Sequence, residues 1–218
     1  MNKCIRYDYA DIMAMGKFER ANFVNSLSGH KSANLVGTKC TKGVSNLALI
    51  SSVFHVGANP PLIGMLMRPH TVVRDTLQNI KDTSHYTINH VHSAIVNQAH
   101  QCSARYPADI SEFQETDLDE QYIDEFHAPF VAQSHIKMGV KVREIQRLDI
   151  NQTELVIGEI MHVLTEQDFS LADGYVDIEM AGSVSVSGLD SYHQTKRIDR
   201  FDYARANTKL ASIWKKPA

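Results

Sequence analysis

Three short β-competent segments, ANLVGTKC, VSNLALISSV and PLIGMLMRP, follow one another between Ala33 and Pro69, and few folds accommodate them. Lys42-Gly43 separates the first two, and Gly57-Ala58-Asn59-Pro60-Pro61 separates the next. Both are turn sequences that let a strand reverse direction. This spacing predicts an antiparallel meander. Alternation resumes at Tyr86-Thr87-Ile88-Asn89-His90-Val91, and further strands are predicted over residues 134–148, 154–164 and 176–186, with turns at Asn151-Gln152 and Asp173-Gly174. Six or seven strands with interspersed helices imply a barrel, so the chain reads as mainly β with α additions.

The helical signals are fewer. Thr71 is placed to cap a helix over 72–81 whose Val73, Leu77 and Ile80 share one buried face, and residues 93–102 resume a helical pattern through Ile95, Val96 and Ala99. The first thirty residues read as a short helix and a lead-in loop, with regular structure from near Ala33. Residues 103–126 are polar and acidic, which predicts a surface loop with a short helix, able to cover a ligand. The tail from Asp190 onward carries Lys196, Arg197, Arg200 and Arg205 with little apolar periodicity and reads as surface.

With 218 residues, 43% of them apolar and 22% charged, the chain can bury one substantial core and reads as a single domain. Its 22 basic and 25 acidic residues, net −3 and without a long run of one sign, lack the electrostatic footprint of a nucleic-acid partner. No window approaches eighteen consecutive apolar residues and the start lacks the pattern of a secretory signal, so no membrane partner and a cytoplasmic location are expected. Cys4, Cys40 and Cys102 contain no Cys-x-x-Cys pair and read as reduced thiols. His90 and His92 share one side of a strand near His85 and His100, but no three or four ligands stand at a recognised spacing, so no metal is expected.

Two constellations carry chemistry. A strand followed by Arg68-Pro69 and a Thr-capped helix forms an anion pocket, because a helix N-terminus presents unpaired N–H groups and Arg68 adds a bidentate cation. Taken alone, Arg68 serves equally well in an exposed pair with a carboxylate. Ser51-Ser52-Val53 ends an apolar strand, where hydroxyls and amides can meet the polar edge of a planar ring beside an apolar face, or simply bond their own backbone. No Gly-x-Gly-x-x-Gly, Gly-x-x-x-x-Gly-Lys-[Ser/Thr] or Gly-x-Ser-x-Gly motif is present, which removes the usual support for dinucleotide-fold, P-loop and hydrolase readings.

Taken in order, these residues resemble the flavin reductase-like family of FMN-binding split barrels. The resemblance rests on Asn34-Leu35-Val36-Gly37-Thr38, Asn46-Leu47-Ala48, Ser51-Ser52-Val53, residues 57–64 and Arg68-Pro69. It continues through Thr76, Asn79-Ile80, residues 86–89, Ala99-His100, Ser103-Ala104, Ser111-Glu112-Phe113 and Gly188-Leu189-Asp190, covering roughly residues 30 to 192 with the tail 193–218 beyond it. It implies a six-stranded antiparallel Greek-key-type barrel with flanking helices, a homodimer, and FMN near the subunit interface. By the same resemblance Ser51, Ser52 and Val53 line the isoalloxazine, Arg68 with Thr76 and Asn79 holds the ribityl phosphate, Asn89 and Ser103 sit close by, and Asn46 and Thr38 are further candidates. His193 stands where the family often has a second aromatic, which leaves the role of the tail open; His55 and His100 are candidates for the pocket rim. The implied activity is hydride transfer from NADH or NADPH to flavin, with electrons passed to an acceptor, and needs no dedicated acid or base. The alternatives are a non-catalytic FMN electron carrier or sensor, and a flavin-dependent reductase of ferric chelates or an aromatic substrate.

Overall fold

The computed structural model describes residues 4–69 and 75–214. Among these residues there are twelve strands: β1 (Lys31–Ser32), β2 (Asn34–Lys39), β3 (Ser45–Ile50), β4 (Val53–Ala58), β5 (Pro61–Met67), β6 (His85–His90), β7 (Glu120–Gln121), β8 (Phe130–Val131), β9 (Ile136–Leu148), β10 (Thr153–Thr165), β11 (Val184–Ser187) and β12 (Ser191–Gln194). Helices are α1 (Tyr9–Ala14), α2 (Lys17–Leu27), α3 (Asp75–Thr83), α4 (Val96–Gln101) and α5 (Glu112–Glu115).

Seven strands form one antiparallel sheet in the order β3-β2-β6-β9-β10-β5-β4. Strands β3 and β4 are consecutive in the chain yet occupy opposite edges. Only Ser51 and Ser52 join them, a span of about 10 Å at most, so the sheet must roll until its edges nearly meet. Register shifts along β9 and β10, at Ile157/Gly158 and Ile160/His162, supply local bends of the kind that such rolling requires. Ile50 of β3 and Val53 of β4 therefore pack on the same core, around Val36, Met65, Tyr86, Ile88, Val140 and Val156. The edges are not laddered to each other, and the result is a split barrel.

Side-chain alternation builds a second core from the same strands. Val36 points into the barrel, while Leu35 and Leu47 point outward and are covered by Val91, Ala99, Phe113 and Val186. Every residue of β2 up to Thr38 is buried for this reason. Helix α3 spans the two roles: Leu77 and Ile80 enter the barrel core, and Thr76 and Asn79 are buried as polar residues.

Several expectations need correction. The predicted meander is two hairpins, β2–β3 and β4–β5, whose inner strands separate to opposite edges. Residues 53–58 are a strand of their own, hidden in the sequence because Ser51-Ser52 interrupts one β-competent run without a Gly or Pro. The strand expected over 176–186 is confined to β11, preceded by turns in which Asp177 Oδ1 accepts from the N–H groups of Glu179 and Met180. Residues 103–126 are not simply surface, since Ser111, Glu112, Phe113, Thr116 and Leu118 are buried. The first thirty residues hold two helices, α1 and α2, where one short helix and a loop were expected, and neither buries a residue. Thr71 and Val73, expected at the start of the third helix, lie outside the described residues.

Candidate functional site

Where the rolled sheet fails to close, a cavity of about 570 Å³ opens beside Ser51 and Ser52, within the size range of small-molecule sites. The first of its two walls is made by the sheet and α3. Ser52 is pinned to β5 beside the seam, its Oγ donating to Leu66 O at 2.6 Å and its carbonyl accepting from Leu66 N at 3.2 Å. Farther in, Asn46 on β3 donates through Nδ2 to Thr76 Oγ1 at 2.9 Å and to Thr38 Oγ1 at 3.3 Å. Asn79 donates to the same Thr38 Oγ1 at 3.1 Å. This chain of buried amides and hydroxyls ties β2, β3 and α3 together and presents Asn46 and Thr76 to the cavity. Its groups are already bonded, so the wall is preset.

The second wall is wetter. Arg68, at the exposed end of β5, lines the cavity and donates from Nη2 to Asn25 Oδ1 of α2 at 3.0 Å. Beyond α4, Cys102 through Tyr106 form the opposite side, with Arg105 and Ser103 exposed and Cys102 buried. Burial pushes the Cys102 thiol up to about 11, which keeps it protonated and weakly nucleophilic at neutral pH. Asp75, the first residue of α3, and Glu112, at the start of α5, complete the lining.

The structure brings Asn46, Ser51, Ser52, Arg68, Thr76 and Ser103 to one cavity. Thr38 and Asn79 stand behind its wall as hydrogen-bond partners. Val53 faces a second, smaller cavity of about 230 Å³, which His55 and His90 also line. Asn89 is buried in β6 among protein partners, donating to Leu35 O and Thr87 Oγ1 at 2.9 Å and accepting from Val131 N at 3.0 Å. His100 bonds the Tyr192 hydroxyl at 2.9 Å, and His193 bonds Ser187 Oγ at 2.8 Å. Among the described residues no group of three or more His, Cys, Asp or Glu is placed to hold a metal, and no helix is long and apolar enough to cross a membrane. Asp75, Glu112 and Arg105 were not anticipated as lining residues. Glu112 belongs to a segment that looks solvated in sequence, and only the fold reveals that Leu47 N–H reaches its carboxylate at 2.9 Å.

The open seam, with a preset polar wall beneath an apolar strand end, defines a split-barrel protein with a part-polar cavity of small-molecule size. Residues 30–179 match the flavin reductase like domain. A split-barrel protein of Shewanella frigidimarina NCIMB 400, proposed to be a flavin reductase, is 47% identical and superposes with a TM-score of 0.89 over 92% of this chain and all of that one. Component B of nitrilotriacetate monooxygenase from Bacillus cereus shares the fold at 18% identity, with a TM-score of 0.79 over 90% of this chain and 98% of its own. Flavoredoxin of Desulfovibrio vulgaris (Miyazaki F) shares it at 21% identity, with a TM-score of 0.67 over 83% and 92% of the two chains. The chain belongs to the flavin reductase-like domain family.

Proposed function

We propose that this protein binds FMN in the seam cavity and reduces it with NADH or NADPH, as a single-domain homodimer in the cytoplasm. The observation that carries this reading is the convergence of Ser51, Ser52, Asn46, Thr76 and Arg68 on one cavity. The residues fit the group. Polar strand-end serines beside Ile50 and Leu66 suit a planar ring with one hydrogen-bonding edge, and Arg68 with Thr76 suits a phosphate. Thr38 and Asn79 act from behind by holding Asn46 in place. A flavin bound there supplies two-electron chemistry between a nicotinamide and an acceptor. The chain's own work is to orient the ring, neutralise the phosphate and leave one ring face open to a second substrate. That division of labour explains why no nucleophile–base pair lines the cavity among the described residues. The family match and the Shewanella protein's description support the same reading.

The test is spectroscopic. The purified protein loaded with FMN should show a bound-flavin spectrum that bleaches under argon on adding NADH or NADPH. A bound spectrum that persists with both donors would leave FMN binding standing and sink the reductase assignment in favour of an electron carrier.

A further inference from the structure

The seam cavity contains two acids where a phosphate is to be bound, and one of them is buried. Glu112 is only 9% exposed, yet it lines the cavity. Its Oε2 accepts from Leu47 N, next to Asn46, while Oε1 makes no hydrogen bond among the described residues. Asp75 of α3 faces it with a like charge.

Beside it stand Leu47 N–H on β3, Asp75 on α3 and the Cys102 thiol at the end of α4. Arg105 on the following loop and Arg68 at the end of β5 line the same cavity. Behind Glu112, Ser111 Oγ bonds Ser45 Oγ at 2.7 Å, and Ser45 donates to Glu120 of β7 at 2.5 Å. Among the described residues two arginines and two carboxylates line the cavity. A phosphate brings about −1.5 to −2 more at neutral pH. Placing that charge beside an ionised, desolvated Glu112 is unfavourable, whereas a neutral carboxyl removes one negative charge and offers a donor.

Resting on the FMN reading above, we propose that Glu112 is the specificity residue for the flavin phosphate, donating a hydrogen bond from its neutral carboxyl group and repelling the phosphate when ionised. Burial favours the neutral form, raising this carboxyl above its ordinary range; the Leu47 N–H opposes this and the Asp75 charge adds to it. FMN binding thus takes up a proton at Glu112, and affinity falls as pH rises through the Glu112 titration. Riboflavin, which has no phosphate, is indifferent to it.

The experiment measures FMN and riboflavin affinity by flavin fluorescence, for the wild-type protein and for Glu112→Gln, from about pH 5 to about pH 8. Glutamine keeps a neutral donor, so the ratio of variant to wild-type affinity for FMN should grow about tenfold toward high pH, the equivalent of one hydrogen bond to an anion. Taking the ratio cancels the titration of the phosphate itself. A ratio that stays constant with pH overturns the proposal, as does an equal pH trend for riboflavin. If Glu112→Gln fails to fold, competition between FMN and riboflavin on the wild-type protein above about pH 7, where the phosphate is already mostly dianionic, decides: their affinity ratio must fall with rising pH, and a flat or rising ratio overturns the proposal. Absence of FMN binding at every pH would reject the cofactor reading itself, whereas binding with a flat ratio rejects only the role of Glu112.

Discussion

The two walls of the seam cavity are built on different principles. The sheet wall is a closed account of hydrogen bonds: Thr38 Oγ1 receives both Asn46 and Asn79, and Asn46 also reaches Thr76, all at or below 9% exposure. The opposite wall presents Arg68, Ser103 and Arg105 from exposed positions. Buried amides without partners are costly, so the first wall is part of the fold and cannot relax around a ligand. Exposed cations have water as an alternative partner, so the second wall contributes to binding while contributing little to stability. The comparison teaches that one cavity can be half scaffold and half recognition surface, and that damage to each half should be read on a different instrument.

The largest effect is expected on the scaffold side. Thr38→Val keeps the shape of the side chain but removes the acceptor shared by Asn46 and Asn79. Leaving buried amide donors unpaired should destabilise the protein by about 2–3 kcal/mol, lowering Tm by about 5 °C or more, and FMN affinity should fall with it because Asn46 is no longer held. A Tm equal to that of the wild type would show that the sheet wall is not preset and would break the distinction between the walls.

The same contrast explains what could be read from the amino-acid sequence. Strands β6, β9 and β10 and the turn at Asn151-Gln152 follow from local alternation and turn chemistry, and the structure places them within two residues of expectation. Strand β4 does not, because the separation of β3 from β4 is a decision of the whole sheet: Val53 pairs with Met65 across one edge while Ile50 pairs with Asn34 across the other. The cavity was legible in part for a similar reason. Ser51, Ser52 and Arg68 carry local signals, a strand end and the approach to a helix, while Thr76 enters only through the family resemblance. Glu112 carries none, since a glutamate in an acidic segment reads as solvated until a neighbouring strand buries it against Leu47. Asn89 shows the converse, a polar residue in a family motif whose side-chain bonds all go to its own barrel.

On the recognition side, Arg68→Ala should leave stability unchanged within about 0.5 kcal/mol and weaken FMN affinity about tenfold, with riboflavin affected less. Affinity measured by fluorescence titration alongside a thermal melt separates the two outcomes. Unchanged FMN affinity would remove Arg68 from the site, and a lowered Tm would mean that its bond to Asn25 makes it scaffold as well.

Arg105→Ala sharpens the comparison most finely. Arg105 lines the cavity from an exposed position, so its attraction to a phosphate acts through water and is screened by salt. The expected loss in FMN affinity is about threefold at low ionic strength, shrinking toward nothing at about 0.5 M salt. Arg68, at the end of a strand and bonded to Asn25, should keep most of its effect at the same salt concentration. If both arginines lose their effect equally with salt, they form one diffuse basic rim. If Arg105 keeps a salt-resistant share, its loop closes over the ligand and the wetter wall is itself partly built by binding.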